Sequence, residues 1–75
     1  MISVIYTKSL DNADDIDVRV SQHEDRRSAI SEFQKIVNDL VQETLDNEFF
    51  KTKISIHNYK ALIRIEDVHY VIAIQ

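Results

Sequence analysis

The chain has 75 residues, with thirteen acidic against nine basic side chains, a formal net charge of −4, and no glycine, proline or cysteine. Lack of cysteine excludes disulfides and thiolate metal sites, and lack of glycine excludes the glycine-dependent phosphate loops. The acidic balance argues against sequence-independent nucleic-acid binding, which needs a concentrated basic surface.

No apolar run approaches the ~20 residues of a membrane span, and no basic-then-apolar leader opens the chain. A soluble, unprocessed, cytoplasmic single domain over residues 1–75 is expected. A chain this small buries only about 60% of its unfolded surface, so homodimerisation is a natural supplement to its stability.

The opening ISVIYT places Ile2, Val4 and Tyr6 on one side of a strand. After the polar stretch KSLDNADD, the run DIDVRVSQ alternates Ile16, Val18 and Val20 with Asp15, Asp17 and Arg19. The pair reads as an antiparallel hairpin with one buried face, on which Ile16, Val18 and Val20 are expected. Ser21 and Glu24 have capping-box spacing, which predicts a helix from about Gln22. Ile30, Phe33, Val37, Leu40, Val41, Thr44 and Leu45 recur at three and four and form its buried stripe, and the helix should end near Asp46 or Asn47.

The last third, ISIHNYKALIRIEDVHYVIAIQ, resolves into three strands if Asn58-Tyr59 and Glu66-Asp67 are two-residue turns. That register pairs Ile56 with Ala61, Ile54 with Ile63, Ile65 with Val68, Ile63 with Tyr70 and Ala61 with Ile72. Every pair is apolar, and a one-residue slip would destroy the agreement. Glycine-free turns are weaker, so four-residue loops stay open as an alternative. The predicted core face is Ile54, Ile56, Ile63, Ile65, Val68, Tyr70 and Ile72. The fold class is α+β, a two-layer β-β-α-β-β-β arrangement: a five-stranded antiparallel sheet with one long amphipathic helix on one face. Strand order does not follow from the pattern.

Two surfaces are candidates for function. On the outer face of the meander, Lys53, Arg64 and His69 fall in one cross-strand row, with His57 and Lys60 in the next. Such a row suits an anion or acidic partner, unless Asp15 or Asp17 of a neighbouring strand neutralises it. Leu62, Val71 and Ala73, with Ile5, share that face and suggest a contact surface, most simply a homodimer. On the helix, Asp25, Glu32, Asp39 and Asp46 repeat every seven residues with Glu43 beside them, interrupted by Lys35. Formal charge is −2 over residues 1–23, −4 over 24–50 and +2 over 51–75, so the helix is acidic and the last strands basic.

Catalytic and metal chemistry find little support. The acidic loop DNADDID lacks the glycine and the bidentate Glu of a calcium loop, with Gln22 in the latter's place. His23, His57 and His69 have no metal-ligand spacing, so no metal or cofactor is expected. Ser55 lies between Lys53 and His57, but strand neighbours two apart are about 7 Å from each other, beyond hydrogen-bond reach. The expectation is therefore a non-enzymatic protein-interaction or regulatory module, acting through the helix stripe or the outer sheet face. The alternative is an inhibitor whose carboxylates mimic nucleic-acid charge to block a nucleic-acid-binding protein. Direct nucleic-acid binding by Lys53, Lys60 and Arg64, with Tyr59 for stacking, has the residue types but few charges.

Overall fold

The computed structural model describes residues 1–10, 16–46 and 51–75. Its elements are β1 (Ile2–Leu10), β2 (Ile16–His23), α1 (Arg26–Asp46), β3 (Thr52–His57), β4 (Lys60–Ile65) and β5 (Val68–Ile74). The strands form one antiparallel sheet in the order β2-β1-β5-β4-β3, so β5 closes the centre between the two hairpins. This is the predicted α+β architecture. Asp11 to Asp15, and with them most of DNADDID, lie outside the described residues, as does Asn47 at the expected helix end.

The meander pairs as its alternation requires. Ile54 faces Ile63, Ile56 faces Ala61, Ile65 faces Val68, Ile63 faces Tyr70 and Ala61 faces Ile72. Both turns are two-residue turns, and without glycine they need left-handed backbone at ordinary residues: Asn58 at φ 47°, Tyr59 at φ 62° and Glu66 at φ 53°. Asn tolerates that region, but a tyrosine there is strained. Contacts hold Tyr59 in place: its ring meets Phe33 edge-on at 6.3 Å between centroids, and the Arg26 guanidinium carbon lies 5.1 Å from its centre.

The core lies between α1 and the middle of the sheet. Ala29, Phe33, Val37 and Leu40 of the helix pack on Val4, Ala61, Ile63, Ile65, Tyr70 and Ile72. Ile30, Val41 and Thr44 are half-buried, whereas Leu45 is 65% exposed near the helix end. Ile54 and Ile56, predicted to be core, are 41% and 52% exposed. They share the inner face with Ile63 and Ala61, but β3 is an edge strand and α1 lies mainly over β5 and β1.

Two expectations are corrected at β2. The strand runs through His23, so Ser21 is a strand residue and caps nothing. The cap is Asp25, whose Oδ1 accepts from the Ser28 N–H at 2.7 Å, and the helix starts at Arg26. Ile16, Val18 and Val20 do not face the core. Val4 pairs with Ser21 and Tyr6 with Arg19, so the inward set of β2 is Asp17, Arg19, Ser21 and His23. Alternation tells which residues share a face, but not which face turns inward. At a sheet edge, the helix margin can partner polar side chains.

Burial pushes the Tyr70 phenol above its ordinary value of 10.0, with the nearby Glu43 and Tyr6 adding to the effect. Tyr6 is raised for the same first reason; Arg19 opposes the shift, and Asp17 and Glu43 reinforce it. Above that ordinary value, unfolded tyrosines release protons that the folded ones keep. Their contribution is therefore complete below pH 10 and is lost as pH rises through the raised folded values. The urea midpoint should fall between about pH 9 and about pH 11, and by less in Tyr6→Phe/Tyr70→Phe. An equal fall in both proteins would assign the loss to other groups.

Candidate interaction surfaces

The acidic stripe of α1 is less open than its spacing implied. Asp25 is the helix cap, and Asp46 accepts from the Gln42 side chain at 3.3 Å. Glu32 lies 3.0 Å from Nε2 of His23, while Nδ1 of that ring is 2.6 Å from the Ser28 hydroxyl. A carboxylate only accepts, so Nε2 donates to Glu32, and the Ser28 hydroxyl completes Nδ1 in either protonation state. This bridge joins the end of β2 to the first turns of α1. It was invisible from sequence because it depends on His23 facing inward.

Asp39 is exposed, and Glu43 sits near enough to Tyr6 and Tyr70 to raise their phenols. The stripe thus borders a cleft of about 510 Å³ between α1 and the β2 edge, lined among others by Tyr6, Arg19, Ser21, Glu32, Lys35 and Asp39. Its charges are of both signs and close together. Such a lining neutralises itself and offers no uniform acidic surface to a basic partner.

The outer sheet face is different. Pairing places Lys53 beside Arg64 and Arg64 beside His69, as the alternation predicted, but His57 beside Lys60 lies one row further than expected, beyond Ser55, Leu62 and Val71. Arg64 is oriented by its Nε donating to the Glu66 carbonyl at 3.0 Å. Asp17 pairs with Lys8 on the inner face, so it does not relieve this row; Asp15 lies outside the described residues. A concavity of about 400 Å³ opens here, bounded by Lys53, Leu62, Arg64, His69 and Val71. Ser55 faces Leu62 across the ladder and His57 faces Lys60, so the residues flanking Ser55 spread along the face without converging on it.

Continuing across the sheet, Leu62 leads to Val71, Thr7 and Val18, and Lys60 leads to Ala73, Ile5 and Val20. The inversion of β2 therefore enlarges the expected patch: Ile16 is 63% exposed, Val18 55%, Val20 57% and Leu62 46%. Among the described strand residues, this face carries no carboxylate at all. Besides Leu62, its apolar side chains are Ile16, Val18 and Val20 of β2, Ile5 of β1, and Val71 and Ala73 of β5, set around Thr7; Lys60 and Arg64 of β4 and Lys53 of β3 make the other side basic. No helix is long and apolar enough to cross a membrane, and the described residues hold no cluster of metal-ligating side chains. No protein-family model matches the chain, and neither does any curated protein or solved structure.

Proposed function

We propose that this protein is a non-enzymatic interaction or regulatory module of the cytoplasm. It works as a homodimer and docks, through its outer sheet face, a partner presenting an apolar surface bordered by carboxylates. The observation that carries this reading is a sheet face that, among the described strand residues, combines apolar and basic side chains with small polar ones and holds no carboxylate, on a chain of net charge −4. Contiguous exposed apolar area of this kind on a small domain marks contact surfaces, and single-sign charge beside it selects the partner and speeds encounter. The cysteine-free composition fits a reducing compartment. Against nucleic-acid mimicry stands the engagement of Asp25, Glu32 and Asp46 within the chain.

Affinity capture from the native host separates the two surfaces. Wild type and Asp39→Lys/Glu43→Lys should retain the same partner, whereas Leu62→Asp/Val71→Asp should lose it while keeping its circular dichroism spectrum. The reverse pattern, together with competition by nucleic acid for the captured protein, would move the site to the helix and favour the mimic.

A further inference from the structure

We propose that the second copy joins along the β2 edge, in one antiparallel register centred on Val18. This names the interface of the homodimer proposed above and rests on that reading; the docking face is a separate surface. In the order β2-β1-β5-β4-β3, β2 has a neighbouring strand on one side only among the described residues, and Ile16 to Val20 are all exposed. An edge strand presents backbone N–H and C=O groups to solvent and is a template for another strand. Proteins often blunt such edges with charge of one sign. The opposite edge, β3, exposes Ile54 and Ile56 but carries Lys53, preceded by Lys51, with no acidic strand residue to complement it in a second copy.

The sequence of β2 is built differently. Around Val18 it reads Ile, Asp, Val, Arg, Val, which is self-complementary under a two-fold axis. With Val18 opposite the partner's Val18, Asp17 faces the partner's Arg19 and Arg19 the partner's Asp17 on the inner face. On the outer face Ile16 meets the partner's Val20. Directly opposed antiparallel residues are about 4.5–5.5 Å apart, close enough for both charge pairs and β-branched contacts to act.

Neighbouring registers fail on the same residues. Centring on Asp17 opposes two carboxylates, centring on Arg19 opposes two guanidiniums, and centring between Val18 and either neighbour sets Val18 itself against Asp17 or Arg19. Arg19 and Asp17 already approach within 3.5 Å in one chain, with side chains 76% and 51% exposed. The dimer would close these four charges into an alternating ring. Two five-stranded sheets would become one, and the exposed Ile16, Val18 and Val20 of both copies would form a central stripe continuous with Ile5 on each side.

Charge reversal tests the register. By sedimentation or light scattering, wild type should have twice the chain mass. Asp17→Arg alone and Arg19→Asp alone should each halve it, because each sets like charges against each other across the two-fold. The double swap Asp17→Arg/Arg19→Asp should restore the dimer. Circular dichroism serves as the folding control. A wild-type dimer untouched by either single swap, but split by Leu62→Lys/Val71→Lys, would overturn the edge interface and leave the homodimer standing on the sheet face. Wild type at monomer mass at high concentration would overturn the interface and the homodimer together, leaving the docking reading to the capture experiment.

Discussion

Replacing Phe33 by alanine is expected to remove about 3–5 kcal/mol of stability, the usual cost of deleting a buried aromatic ring. The side chain is 5% exposed in the centre of the helix stripe, so the surrounding Val37, Leu40 and sheet residues would be left around a cavity. It is also the edge on which Tyr59 leans, and Tyr59 is held at φ 62° in a turn that has no glycine. The loss should therefore exceed that of Val37→Ala, and it should loosen the β3–β4 turn. For a domain of this length each kcal/mol corresponds to about 4–8 °C of Tm, so urea and thermal melts read the effect directly. A Tm within a few degrees of wild type would mean that the ring is not packed as described.

The second large effect is at the sheet centre. Ile72→Ala should cost about 2–5 kcal/mol. Ile72 is fully buried and sits between Tyr6 on β1 and Ala61 on β4, where the two hairpins are joined. Ile16→Ala, the same change at an exposed edge position, should stay within about 0.5 kcal/mol when measured below the concentration at which the chain associates. The contrast decides which face of β2 points inward. If Ile16→Ala were as costly as Ile72→Ala, the hairpin would be packed in the opposite sense.

That contrast also marks where the sequence was readable. The last three strands were legible to the single residue because adjacent apolar runs must agree in register. Ile54, Ile63 and Tyr70, with Ala61 and Ile72, agree in only one way. The helix stripe was legible from its period, although the start was not. Ser21 and Glu24 have capping-box spacing, but pairing with Val4 kept Ser21 in the sheet, and Asp25 took the role. In β2 the pattern ranks the two faces clearly but in the wrong order, because the polar set is the one that meets the helix margin. Asp17, Arg19, Ser21 and His23 form a polar set that would suit solvent, yet His23 finds Glu32 and Arg19 lies over the Tyr6 ring. The basic row was visible for the same reason as the meander. The breadth of the apolar patch beside it was not, because it depends on the inversion of β2.

The position of β5 has a consequence for how the molecule forms. β1 and β4 are not paired with each other; the β1–β2 hairpin joins the β3–β4 hairpin only through β5, and Val4 pairs with Ile74 across nearly the whole chain. The two hairpins can form locally, but the centre cannot close until Val68–Ile74 is present. Closing such distant contacts is slow compared with making local ones. During synthesis the exposed face of the β1–β2 hairpin must wait, in an incompletely folded chain, for the segment that completes its layer. These 75 residues should therefore gain their structure late and in one step, because the apolar edge strand is made before the residues that bury the sheet centre.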